Sequence, residues 1–159
     1  MATRLVILCA ERSRREPISA LCQDYLARLT RYNLRATIEE CSAPNASTPE
    51  ATVSLQLARL LGRIQASDTV VLLDERGQAM RSEEFARLLD RLMMQSARRL
   101  VFVLGGPWGV APSVRERADA TVSLSAMTLA HEIALVVLCE QLYRALSILR
   151  GEPYHHGER

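Results

Sequence analysis

The sequence predicts an α/β fold: a mostly parallel sheet with helices on both faces. Three observations carry this. Short runs such as LVILCA, DTVVLL and RRLVFVL are apolar at nearly every position, the pattern of strands buried on both sides. Longer segments with apolar residues at helical spacing lie between them. No linker, repeat or low-complexity stretch interrupts the alternation, so residues 1–159 are expected to form one domain.

Each element follows from local pattern. LVILCA (5–10) is the first expected strand. In residues 18–29, Ile18, Leu21, Cys22, Tyr25 and Leu29 share one face of a helix. LRATIEEC (34–41) alternates and reads as the second strand. CSAPNASTPE (41–50) is rich in turn formers, and Thr48 before Pro49 supplies a cap and first-turn residue for a helix reaching about Ala66. DTVVLLDERG (68–77) is a buried strand followed by a charged turn. SEEFARLLDRLMMQ (82–95) is a helix whose adjacent Glu83 and Glu84 suit the dipole at its start rather than forming an acid/base pair. RRLVFVLGGPWG (98–109) is an apolar strand ending in glycines, ATVSLS (120–125) is another, and residues 130–150 form one long helix. IALVVLC (133–139) is apolar all round, which predicts burial on every side and so a subunit interface. Glu140 and Arg144, spaced i, i+4, are expected to form an exposed pair of small worth.

Composition narrows the function classes. Hydrophobic residues make up 48% and charged residues 24%, ordinary for a globular chain. No apolar run reaches the ~18 residues of a membrane helix, and residues 1–10 lack the layout of a signal peptide, so a cytoplasmic location without membrane contact is expected. The four cysteines form no CxxC and are read as buried thiols, and no metal-ligand spacing occurs. All 20 basic residues are arginine, a side chain suited to phosphate, though the net charge is only +2.

Ligands of open parallel sheets bind beyond the carboxyl ends of the strands. Three loops meet that rule: Asp74–Gly77, Gly105–Gly109 and Ser125–Ala130. GGPWG is neither a GxGxxG fingerprint nor a Walker loop, for which the chain has no lysine. Ser125 and Thr128 are candidate caps for the long helix. No Ser-His-Asp spacing is evident.

LLDERG (72–77), SEEFA (82–86), VFVLGGPWG (101–109), SLSAMT (123–128) and EQLYRALSILRGEPYHH (140–156), in that order, resemble the RlmH family. These are pseudouridine N3-methyltransferases of large-subunit (23S) ribosomal RNA, of the SPOUT (trefoil-knot) class. The resemblance is strong from Thr69 to His156 and weaker over residues 1–68. It implies a knotted single domain, a homodimer, the ribosome as partner and S-adenosylmethionine as methyl donor. It puts donor binding at Leu73, Gly105, Leu124, Ser125, Ala126, Met127, Thr128 and Leu129. It also implies that the tail, residues 151–159, closes the active site. Tyr154, His155 and Arg144 are then the catalytic candidates that hold the nucleotide, with His155 a possible base. Four departures stand out: Ala130 where the family usually has Pro, Leu135 where it has Arg, Cys9 where Gly is common, and a second histidine, His156. Leu135 supports an alternative, a catalytically impaired ribosome-binding protein of the same fold. A generic interaction module unrelated to RNA is the third reading.

Overall fold

The computed structural model describes residues 2–41, 46–95, 99–105 and 111–156, apart from the side chain of Leu57. Five strands, β1 (Thr3–Cys9), β2 (Leu34–Glu40), β3 (Thr69–Ala79), β4 (Arg99–Leu104) and β5 (Ala120–Ser123), form one sheet in the order β2-β1-β4-β3-β5. Every pairing is parallel. The helices are α1 (Glu16–Arg28), α2 (Pro49–Arg63), α3 (Ser82–Gln95), α4 (Pro112–Arg117) and α5 (His131–Leu149).

Alternation along the strands builds two cores. Leu5, Ile7 and Cys9 of β1, Val71 and Leu73 of β3, and Leu100, Phe102 and Leu104 of β4 face α1, α3 and α5. Val6, Leu8, Val70, Leu72, Val101 and Val103 point the other way, toward Leu60 of α2 and Val114 of α4. The expectation of a sheet covered on both faces is met. A fully buried side chain such as Phe102 contributes ~1.5–3 kcal/mol in such a core.

Local chemistry sets several boundaries. Thr48 accepts the Ala51 amide at 3.1 Å, with Pro49 in the first turn of α2. A 3-10 turn, Leu29–Tyr32, ends at Asn33 in the left-handed region (φ 59°), which asparagine tolerates, and the chain then enters β2. The end of α5 is a Schellman turn. Gly151 has φ +67°, its amide donates to the Ile148 carbonyl at 3.0 Å, and the Glu152 amide donates to the Ser147 carbonyl at 2.9 Å. This turn directs Pro153–His155 back along the helix.

Two local readings need correction. The charged stretch Asp74–Gly77 is not a turn that ends the strand: β3 carries on to Ala79, with a register break between Leu73 and Gln78 where it pairs with β5. Gly77 lies so close to β5 that a Cβ would sit 2.8 Å from the Thr121 backbone. Helix α4 was not foreseen, because six residues show too little periodicity. Within the single chain the segment Ile133–Cys139 is covered on one side only, which leaves the expected subunit contact open. Leu135, Leu138 and Cys139 lie in the core, whereas Ile133 is 43% exposed. Leu135 therefore stands in the interior, not on an RNA-facing surface.

Candidate functional site

The pairings Leu73–Leu104 and Leu73–Val122 bring Leu73, at the register break of β3, beside the carboxyl ends of β4 and β5. Beyond them opens a cleft of about 500 Å³. Leu73, Gly105, Leu124, Ser125, Met127, Thr128 and Leu129 all line it. Ala126 belongs to the same loop but is not a lining residue. Gly106–Gly109, the rest of the glycine run, fall outside the described residues.

The loop that walls the cleft holds itself. Ser125 Oγ accepts the Met127 amide at 2.9 Å, and Ser123 Oγ donates to the Ser125 carbonyl at 2.9 Å. Thr128 donates its hydroxyl to Glu75 at 3.1 Å. Neither Ser125 nor Thr128 caps α5, whose N-cap is Ala130 with no side-chain cap bond. Sequence reasoning assigned these hydroxyls to the wrong backbone groups because it could not see Glu75 across the loop.

The cleft also carries charge. Asp74 pairs with Arg115 of α4 at 2.8 Å and accepts the Arg76 amide at 3.1 Å. Glu11, just past β1, and His131, at the start of α5, complete the wall. His131 Nε2 is buried with no hydrogen-bond partner among the described residues. Glu11, Arg115 and His131 were missed in the sequence. The strand-end rule, applied to β1, would have found Glu11; Arg115 gave no signal.

A second cluster forms around the tail. Glu140 accepts Arg144 Nη2 at 2.6 Å and Nε at 3.0 Å, so this is a two-pronged, half-buried pair rather than an exposed one. The same Glu140 oxygen accepts the Tyr154 hydroxyl at 3.0 Å. Tyr154 stacks edge-on against Tyr143, ring centroids 4.6 Å apart, and Arg144 lies 4.8 Å above its ring. Burial first, then neighbouring Tyr25 and the Glu140 carboxylate, push the Tyr154 hydroxyl above its ordinary range, so it stays a donor. His155 bridges Arg144, 3.0 Å from Nδ1, and Glu83 of α3, 2.9 Å from Nε2. The tail is also tied at its start, where Glu152 accepts the Tyr32 hydroxyl at 2.6 Å.

The structure thus gathers Arg144, Tyr154 and His155 as expected, but in a place apart from the cleft of the same chain. Arg144 follows Ala134, the last cleft residue on α5, by ten positions, about 15 Å along the axis at ~1.5 Å each. Glu83 was read only as a dipole charge, and its tail contact lay beyond any local pattern.

No group of His, Cys, Asp and Glu suited to a metal ion occurs among the described residues, and none of the described helices is long and apolar enough to cross a membrane. Cys9, Cys22, Cys41 and Cys139 are buried free thiols. Burial, with Glu40 nearby, pushes the Cys9 thiol up to about 12, so it is no nucleophile.

A parallel sheet of this order, with a cleft walled by the loop before the last helix, is the layout expected of a SPOUT-type protein. The model of a family described as "Predicted SPOUT methyltransferase" matches residues 3–155. Ribosomal RNA large subunit methyltransferase H of Syntrophotalea carbinolica is 39% identical over 155 residues, covering 96% of this chain and 99% of the relative. Its counterpart in Desulfovibrio desulfuricans is 43% identical over 132 residues, covering 83% and 84%. Among solved structures, a probable methyltransferase from Bordetella pertussis shares the fold, with a TM-score of 0.55, 18% identity, and coverage of 91% of this chain and 95% of that one. The chain belongs to the ribosomal RNA large subunit methyltransferase H (RlmH) family.

Proposed function

We propose that this chain, as one knotted domain over residues 1–159, methylates N3 of a pseudouridine in 23S ribosomal RNA on the ribosome. S-adenosylmethionine is the methyl donor, and the working form is a cytoplasmic homodimer. One observation carries the reading: seven positions that the family resemblance assigns to the donor line a single cleft at the strand ends.

The cleft fits such a donor. Its volume, about 500 Å³, is in the range of small-molecule sites. Leu73, Leu124 and Leu129 offer an apolar wall, and Gly105 allows close approach to backbone. Glu11 and Glu75 offer carboxylates for a sulfonium and an ammonium group, while Asp74 is paired with Arg115. When bound, the donor supplies an electrophilic methyl group. The chain supplies orientation, worth more here than proton transfer. An imide N3 about two pKa units above neutral costs ~2.7 kcal/mol to deprotonate, at 1.36 kcal/mol per unit.

The separation of the tail cluster from the cleft supports the homodimer. Methyl transfer needs reacting atoms within ~3.5 Å. Arg144, Tyr154 and His155 meet that demand if a second copy brings them to this copy's cleft. Ile133, 43% exposed on α5, and Leu21, 41% exposed on α1, leave apolar surface for such a contact. Leu135, the departure behind the impaired-protein alternative, is a core residue, 2% exposed, and lines no part of the cleft.

The test separates donor binding from transfer. Tyr154→Ala and His155→Ala are expected to lower methylation of ribosomes while leaving donor affinity, measured by calorimetry, nearly unchanged. Unaltered methylation in both variants would return the tail to a purely structural role.

A further inference from the structure

Glu83 makes a contact that its local sequence gives no reason to expect. It lies in the first turn of α3, where the helix dipole favours a carboxylate, and its Oε1 meets His155 Nε2 at 2.9 Å across 72 residues of chain. Ser82 beside it donates to Gln141 of α5 at 2.8 Å, so this turn is docked on the helix that carries Arg144. Gln141 in turn donates to Glu140 at 2.8 Å. The other Glu83 oxygen has Arg81 Nε at 3.9 Å.

The hydrogen-bond roles at His155 are set by its two partners together, Arg144 at one ring nitrogen and Glu83 at the other. A guanidinium has only donors, so Arg144 Nη1, 3.0 Å away, must donate to Nδ1. The ring proton therefore sits on Nε2 and points at Glu83, which accepts it. A proton on Nδ1 would face the Arg144 donor. With Nε and Nη2 of Arg144 held by Glu140, its Nη1 is aimed at the lone pair of Nδ1.

We infer that Glu83 is a positioning residue for methyl transfer: through the Nε2–H bond it fixes the tautomer and plane of His155, so that Nδ1 meets the Arg144 Nη1 that Glu140 holds in place. This rests on the methyltransferase reading above. Glu83 touches neither donor nor nucleotide; it acts through the tail histidine, as a carboxylate behind an imidazole does in other sites. It also pins the tail to α3, as Glu152 pins the tail's start to the Leu29–Tyr32 turn.

The test compares Glu83→Ala, Glu83→Gln and the wild type as full-length protein, with His155 resonances assigned by their loss in His155→Gln. Nitrogen-15 shifts of the imidazole report the tautomer. The expected results are an Nε2–H ring in the wild type and a mixed population in Glu83→Ala. In that variant kcat for ribosome methylation falls about tenfold or more, with donor affinity unchanged. Glu83→Gln, whose amide oxygen still accepts, restores the tautomer and most of kcat. An Nδ1–H ring in the wild type would overturn the inference. So would wild-type tautomer and kcat in Glu83→Ala, or equal loss of kcat in both variants with the tautomer intact. If Glu83→Ala does not fold, the wild-type tautomer and Glu83→Gln decide. If the wild type transfers no methyl group, the functional reading fails, while the tautomer still decides what Glu83 does to the ring.

Discussion

Glu132, in the first turn of α5, accepts the backbone amide of Arg14 at 2.7 Å, across 118 residues of chain. The same oxygen accepts the Arg15 amide at 3.3 Å and the Ser13 hydroxyl at 3.1 Å. One carboxylate thus ties the loop after β1, which carries Glu11 into the cleft, to the helix that closes the cleft. These bonds, the Arg14 amide first, hold the Glu132 carboxyl below its ordinary value. Its contribution is therefore present above the ordinary carboxylate range and lost as pH falls through the depressed folded value. Amide hydrogen exchange, corrected for intrinsic rates, should show Arg14 and Arg15 protected at neutral pH and losing protection in acid. Glu132→Gln should lose part of that protection at every pH, and an unchanged pattern would contradict the clamp.

The clamped loop presents arginines to solvent. The side chains of Arg12 and Arg15 are 78% and 76% exposed and meet only loose carboxylate partners, Glu40 at 3.7 Å and Glu132 at 3.5 Å. If they contact ribosomal phosphates, ribosome affinity should fall steeply with salt, and alanine at Arg12, Arg14 and Arg15 together should reduce the log–log slope by about 1 per lost contact. Arg31 and Arg35 are the next candidates. A slope that does not change in the triple variant would remove this loop from the interface.

Two glycines should respond in opposite ways. Gly77→Ala drives a methyl group to 2.8 Å from the Thr121 and Val122 backbone, so β3 and β5 must move apart. It should cost ~1–3 kcal/mol in urea unfolding and weaken donor binding at the adjoining cleft. Gly62, in the last turn of α2, has nothing within 4 Å of a built Cβ. Gly62→Ala should stabilise by ~0.4–1 kcal/mol.

Asp68 and Arg99 form a largely buried pair. Arg99 Nη2 and Nε donate to the two carboxylate oxygens at 2.6 and 3.0 Å, and the Gln65 amide adds a bond at 2.7 Å. Burial alone would raise the Asp68 carboxyl, but the Arg99 and Gln65 bonds outweigh it and hold it low. The pair's stability is therefore full above the ordinary aspartate range and lost as pH falls through the lower folded value. Arg99→Ala should cost ~3–5 kcal/mol at pH 7 by leaving the carboxylate unpaired, and the deficit should shrink in acid.

Fold class was legible because buried parallel strands write themselves as apolar runs, and the Thr48–Pro49 start of α2 followed from capping alone. The cleft was legible through the strand-end rule: the segments chosen at Asp74, Gly105 and Ser125 converge on one cavity, although the first of them continues β3. The tail network was not, because Glu83 and His155 stand 72 residues apart and no periodicity links them. The continuation of β3 through Asp74–Gly77 was hidden because these residues read as a charged turn. The resemblance, not periodicity, brought in the knot; chain topology of that kind leaves no local pattern.

The most direct measurement is methyl transfer itself. Purified protein, labelled S-adenosylmethionine and ribosomes lacking the modification are mixed, and label in the large-subunit RNA is counted and mapped. Label on N3 of a pseudouridine is the predicted result. Donor binding without any incorporation would contradict the account.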